Sequence, residues 1–551
     1  MLPPSEGEGA PMASTGSGSG RGRATSVHRV GPPLLTGALV LATYAVCRPS
    51  LIDDAYISFR YADNVDHGHG LVFNAGERVE GVSNALWTLT LAAAHALGLP
   101  FVGTATVLGV AGAVAVALLT PLVARTVDLP PTAAVLCGFA VALSTSLVSA
   151  ATMGLEGGLF GALLLASVLA LSRSSTVGLG AAVLGLAATR PEGLLLGTGL
   201  AVVAATTRGG RSRERAPLAL AALAPVVVVE GVRYAYFGQL LPNSVLAKRD
   251  VGYGPLSSVA YHARSGVSYV VHALGLGVTA LCLLVGVAWL VRGGAQRLLL
   301  QVRRRALPPS PVSALVVTLV LGLAAPVLNG GDWMPYGRFV TPYLPLVVVL
   351  LVRAAWDVVP TARTGQSVAW LAALLVLLTL LSPHDFPLRD GGRTPLAADT
   401  AFDDLGRALG SAGVQGPVAT DVLGRVSFQA SGVRFLDPLG LTEKDVAATP
   451  GRGSVVGKRN DRVIAAGHPA VLASDSWPTL EQLRQACQSA GEQFAGVTST
   501  SMLDSYVFVF VEQGEAATVA TALSRYFPGA HVVGAQDAVR DWDARYPDGR
   551  T

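Results

Sequence analysis

Charge is what this sequence has least of. Only 14% of its 551 residues are Asp, Glu, Lys or Arg, against about a quarter in soluble domains. Meanwhile 51% are hydrophobic and the mean hydropathy is +0.50. A chain so short of charge belongs to the membrane class. The net charge of +4 is small, and its arginines cluster between apolar runs, which suits membrane topology and excludes a broad nucleic-acid face. Cysteine is scarce too: Cys47, Cys137 and Cys282 lie in apolar runs and Cys487 stands alone, so neither a disulfide framework nor a zinc site is spelled out. There is no Walker A sequence, Gly-x-Ser-x-Gly elbow, Gly-x-Gly-x-x-Gly after a strand, or His-Glu-x-x-His. Soluble nucleotide and hydrolase chemistry therefore lack support.

What is present is a series of apolar runs. Candidate spans fall at 30–49, 101–124, 131–150, 156–172, 176–189, 192–206, 216–236, 266–292, 311–328, 339–353 and 367–382, about eleven crossings. Residues 1–29, rich in Gly, Ser and Pro, read as a disordered cytoplasmic tail ahead of a retained signal anchor. Arg21, Arg23, Arg29, the 208–215 cluster, Arg297, Arg303 to Arg305, Arg353 and Arg363 all fall on one side if 84–98 is an interfacial helix rather than a span. That side is the cytoplasm. The first loop, 50–100, and the loops around 153–158, 189–193, 236–250 and 329–338 then face outward. They hold most of the polar, aromatic and Gly/Pro residues, which points to a reaction site at the outer surface.

From about residue 383 the charges return and the apolar pieces shorten to "PVATDVLG", "VRFLDPLG", "AVLASD" and "YVFVFVE", alternating with helical stretches such as "TLEQLRQACQSAG". The chain divides into a tail, a helical polytopic membrane domain (30–382) and an α/β soluble extracytoplasmic domain (383–551).

Several residues could carry chemistry. Asp53 and Asp54 open a helix-like segment, where Asp satisfies free N–H groups. Two adjacent carboxylates at the lipid–water boundary could equally act as a general base or bind a metal. Arg190 with Glu192 in "ATRPEG", Lys248 beside Arg249 in "LPNSVLAKRD", and Asp332, Trp333 and Arg338 in "NGGDWMPYGRF" are candidates for holding a phosphate and a sugar. Each has a plainer reading as a snorkelling side chain or an aromatic-belt residue. Arg60, Glu77, Glu80 and Asn84 are further first-loop candidates. Glu156 in "MGLEGG" is compatible with a turn residue, and His67 and His69 lack a third ligand at helical spacing, so no metal site is assigned.

The stretches "DDAYISFRYADNVDHGHGLVFNAGERVEGVSNALW", "TRPEG", "LPNSVLAK", "NGGDWMPYGRFVTPYLP" and "GLT" after "FLDPLG" run from about residue 50 to 445. Together they resemble the actinobacterial terminal β-1,2-arabinofuranosyltransferases, members of the GT-C glycosyltransferases. The resemblance implies a multi-pass plasma-membrane enzyme that takes a sugar, arabinofuranose, from a polyprenyl phosphate to a cell-wall glycan or glycolipid with inversion. It maps the catalytic acid onto Asp53 or Asp54. It requires no cofactor, though a divalent cation could assist the phosphate. A flippase for lipid-linked sugars and a catalytically silent glycan-binding relative are the alternatives; transporters, however, usually show repeated halves and mid-membrane charges, and this chain shows neither.

Overall fold

A computed structural model describes residues 21–47, 51–206, 212–247, 255–289, 291, 311–332, 334–358, 396–449 and 461–546. The expected span 367–382, most of the basic clusters, Lys248 and Trp333 lie outside the described residues.

The N-terminal part is a helical bundle. Among the described residues, three helices, Phe101–Thr126, Arg215–Phe237 and Pro311–Leu328, are long and apolar enough to cross a membrane, and up to five spans result if two bent pairs count as one each. Shorter apolar helices, among them Gly157–Ser172, Thr176–Thr189 and Glu192–Thr206, accompany them. Glycine sets how closely these helices approach. A Cβ added to Gly112 would stand 2.7 Å from the Gly158 carbonyl carbon, so the Phe101–Thr126 and Gly157–Ser172 backbones meet directly. That contact fixes the loop just before Gly157, where Glu156 sits.

Two expectations change. The run 266–292 is not one straight span: helices Val259–Leu274 and Leu276–Trp289 meet at a 96° bend, and Gly275 supplies the break at φ 78°. The first helix begins at Arg21 rather than near residue 30 and contains Pro32 and Pro33. The segment expected at the interface is a 12-residue helix, Ala85–Ala96.

The C-terminal part carries one six-stranded sheet: β1 (Val418–Thr420), β2 (Phe435–Leu436), β3 (Val471–Ser474), β4 (Phe494–Thr498), β5 (Phe508–Glu512) and β6 (His531–Gly534), in the order β2-β1-β3-β5-β4-β6. β2, β1 and β3 are parallel, and the remaining pairings are antiparallel. The four anticipated apolar pieces became β1, β2, β3 and β5. β4 and β6 escaped notice because "FAGVT" carries a glycine and β6 is a short, largely exposed edge.

The two parts are joined by a pair of helices running side by side in the same direction, Asp53–Asp66 of the first loop and Leu423–Gln429 of the C-terminal part (396–546), the cap. At one end, the Asp53 carboxylate accepts from the Gly424 and Arg425 N–H groups, both at 2.8 Å. At the other, the buried Arg60 guanidinium donates to the carbonyls of Ser427, Ala430 (3.4 Å) and Val433 (2.7 Å), and to Phe73 O at 2.9 Å. An anion on free N–H groups and a cation on free carbonyls both complement the helix dipole. Arg60 also lies between the rings of Phe73 and Phe435, 4.7 and 4.9 Å from their centroids. Phe428, from the same cap helix, inserts among Tyr56, Phe59 and Phe101.

Further polar contacts surround the joint. Asn74 exchanges two hydrogen bonds with the Phe435 backbone, at 2.9 and 3.0 Å, as a neighbouring strand would. Glu77 pairs with Arg434 at 2.7 Å. Buried Asn243 donates to the carbonyls of Gly440, Leu441 and Glu443. Glu80 receives Arg233 through two nitrogens, at 2.6 and 2.9 Å.

Arg60→Met keeps the packing between the rings but strands the Ser427 and Val433 carbonyls, since Phe73 O keeps Asn64 and Ala430 O keeps the Val433 N–H. It is expected to cost on the order of 3 kcal/mol and to speed proteolysis within 396–449. Arg434→Ala, at a largely exposed ion pair, should cost under about 1 kcal/mol. Melting midpoints in detergent, with timed proteolysis, check the contrast.

Candidate active site

The acid doublet is split by the joint just described. Helix Asp53–Asp66 is preceded by Ile52 at the N-cap, with no side-chain cap of its own. Asp53 instead caps the cap-domain helix, taking the two N–H groups an N-cap side chain would take. The fit is close: a Cβ on Gly424 would stand 1.9 Å from Asp53 O, so only glycine allows the approach. Arg425 reinforces it, donating to Leu51 O at 2.9 Å and to Asp403 at 3.0 Å while stacking on Tyr56. Burial pushes the Asp53 carboxyl up to about 6, against the two N–H groups that pull it down and with Asp54 adding to the rise.

Asp54 turns the other way. Its carboxylate meets Arg338 at 3.5 Å, and Arg338 is held through Nε by Asp332 at 2.5 Å. Asp54 keeps 25% of its side-chain surface exposed, whereas the Asp332 side chain has none. The loop carrying both Asp332 and Arg338 is placed by helix Pro255–Leu274: Tyr269 Oη accepts from Phe339 N at 3.2 Å, and Ser265 donates to Gly330 O at 2.8 Å. Gly330 and Gly331, at φ 77° and 87°, let that loop pass close to His262 and Tyr269.

Behind this group lies a second ionic cluster. Arg190 pairs with Glu156 at 3.1 Å and Glu192 at 2.9 Å. Glu156 also accepts from Asn84 at 2.7 Å, and Asn84 bonds Ser58 and Thr88. All three charged groups are buried. The Phe339 ring connects the two clusters, with the Arg190 guanidinium 4.6 Å and the Arg338 guanidinium 4.8 Å from its centroid. Four carboxylates (Asp54, Asp332, Glu156, Glu192) thus surround two guanidiniums.

The sequence-derived candidates sort accordingly. Asp54, Asp332 and Arg338 come together. Arg190 and Glu192 form the buried cluster beside them, with Glu156 as the member that sequence reasoning left open; a lone acid at a helix start next to glycines was its only signal. Asp53, Arg60 and Glu77 serve the joint, Glu80 pairs with Arg233 of the helical bundle, and Asn84 holds Glu156. His67 and His69 hydrogen-bond Asp63 and Asn64. No group of three or more His, Cys, Asp or Glu suited to a metal occurs among the described residues.

The cap holds a further buried acid. Asp421, on the short connection from β1 to helix Leu423–Gln429, accepts from Ser474 at 2.6 Å. Burial, reinforced by Asp475 at the end of neighbouring β3, pushes its carboxyl up to about 7.

The Asp53 shift has a definite sign. The folded carboxyl titrates at about 6 and an unfolded one near about 3.9. Between those values the folded protein holds a proton that the unfolded chain has released, so this contribution to stability is lost as pH rises. The midpoint difference between wild type and Asp53→Asn should therefore decline from about pH 4 to about pH 6 and level off above it. A flat difference would show that Asp53 is not buried against the cap.

No family model matches the chain, and no curated protein matches it in sequence. In three dimensions it is similar to the crystal structure of ArnT from Cupriavidus metallidurans in the apo state, with a TM-score of 0.50 at 13% identity, over 89% of this chain and 99% of that one. The chain therefore shares the fold of that structure: a mostly helical body of apolar helices with a small C-terminal sheet.

Proposed function

We propose that this chain is a multi-pass plasma-membrane glycosyltransferase that moves a sugar, arabinofuranose, from a polyprenyl-phosphate donor to a cell-wall glycan or glycolipid at the outer face. The N-terminal tail lies in the cytoplasm and the 383–551 segment outside. The observation that carries this reading is the placing of Asp54, partly exposed beside Arg338 where the first loop meets the cap. The GT-C-like fold supports the reaction class, and the first-loop motifs support the pentose.

In this reading Asp54 takes the proton of an acceptor hydroxyl as its oxygen attacks the anomeric carbon. The bond from that carbon to the phosphate oxygen breaks with inversion, and polyprenyl phosphate leaves with the electron pair. Arg338, oriented by Asp332, faces the developing charge, and Lys248 of the "LPNSVLAK" motif is a second candidate cation. Arg190 is saturated by Glu156 and Glu192, so its part is to hold Phe339, and through it Arg338, in place. Asp53 fixes the helix that presents Asp54.

Transfer of label from a polyprenyl-phosphate arabinofuranose, measured in membranes, tests this. Asp54→Asn is expected to lower turnover by at least about 100-fold with an unchanged melting midpoint. Asp53→Asn should shift the midpoint as well. A fully active Asp54→Asn protein would overturn the assignment.

A further inference from the structure

Helix Pro255–Leu274 supports the loop that carries Asp332 and Arg338, and its surface divides into three faces. At about 100° per residue, His262, Ser265, Gly266, Tyr269 and Ala273 share one face, and that face packs. His262 lies against Gly330, Ser265 donates to Gly330 O at 2.8 Å, Tyr269 accepts from Phe339 N at 3.2 Å, and Ala273 meets Gly337. Gly266 sits on the last turn of helix Pro311–Leu328, where a Cβ would collide with the Val327 main chain.

The other two faces differ in chemistry. Val259, Ala260, Ala263 and Val267 form an apolar stripe, and all four are exposed. Tyr261, Arg264, Ser268 and His272 form a polar stripe beside it, also exposed. Two observations fix where this helix lies. Helix Pro311–Leu328 is long and apolar enough to cross a membrane, so contact with its last turn puts Gly266 level with the end of a span. The chain then turns by 96° into Leu276–Trp289, an apolar helix with Leu283, Leu284 and Val287 exposed. With that helix running into the hydrocarbon, the one before it lies close to the membrane plane. There it offers its apolar stripe to the acyl boundary and its polar stripe to water. Crossing the bilayer would instead put Arg264 in lipid, which its charge disfavours.

We infer that helix Pro255–Leu274 is a lipid-binding strap, seated on the bilayer surface on the Arg338 side, and that its partner is the boundary between lipid headgroups and acyl chains. The apolar stripe enters that boundary, and Arg264 reaches from the polar stripe to lipid phosphates. This follows from the membrane class of the chain and is independent of the transferase reading. The packed face gives it a consequence for the site. Ser265 and Tyr269 place the loop of Asp332 and Arg338, so lipid that holds the strap also holds the loop that meets Asp54. The bilayer thereby takes part in organising the site in advance.

The test uses the full chain in nanodiscs of phosphatidylcholine and phosphatidylglycerol, with Cys282→Ala removing the only one of the four cysteines that is not buried. Nitroxide labels are attached through Val267→Cys and, separately, Ser268→Cys. Power saturation then reads access to oxygen, which partitions into lipid, and to a nickel chelate, which stays in water. The label on the Val267 position is expected about 5–10 Å below the headgroups with oxygen access dominant, and nickel access should dominate at its neighbour. Nickel access at both positions would place the helix in water, and lipid access at both would make it a span; either result overturns the strap. Unchanged melting midpoints confirm that the variants fold. Val267→Asp should also lower sugar transfer at least about five-fold, and Ser268→Asp should leave it unchanged; equal rates would overturn the link from strap to loop. Absence of transfer by the unaltered chain would instead remove the transferase reading and leave the label positions standing.

Discussion

The structure depends on one short helix, Leu423–Gln429, being held at both ends by the first-loop helix. Asp53 closes its N–H end and Arg60 its carbonyl end. Seven residues are too few for a stable helix in isolation, so the joint supplies what local propensity cannot. The pairing also fixes the rotation of the first-loop helix. With Asp53 turned to the cap, Asp54 must face another direction, and that direction is Arg338. The cap is thus part of what sets the geometry of the candidate active site.

The electrostatics follow from the same arrangement. A guanidinium buried with one acid would sit in a neutral pair; here each of the two arginines faces two acids. Buried ions persist only when their partners are well aligned. The network of Asn84, Ser58 and Thr88 around Glu156 provides that alignment. Phe339 between the two guanidiniums makes the clusters one rigid unit. A site organised in advance in this way can meet developing charge without rearranging. Only Asp54 within it combines an acid with access to solvent and a cation at its side.

Much of the plan was readable from sequence: the membrane class from scarce charge, the location of most helices from apolar runs, four of six strands, and the loops that carry polar residues. What could not be read shares one cause, namely partners distant in sequence. Asp53 and Asp54 are equivalent locally, and what separates them is Gly424 and Arg425, 371 and 372 residues on. Arg60 and Glu77 look like site residues because they are polar and sit in a dense motif. Their partners in the cap show them to be fasteners. Glu156 acquires meaning only when Asn84 and Arg190 arrive from other loops. The 96° bend at Gly275 was hidden because an apolar run reports hydropathy and not direction.

A structure with a non-transferable polyprenyl-phosphonate donor and an acceptor oligosaccharide bound tests the central claim most directly. In it the Asp54 carboxylate is expected within about 3 Å of the acceptor hydroxyl, Arg338 against the phosphonate, and Asp53 still on the Gly424 and Arg425 N–H groups. Asp53 swung free of the cap and reaching the acceptor, with Asp54 turned away, would contradict it.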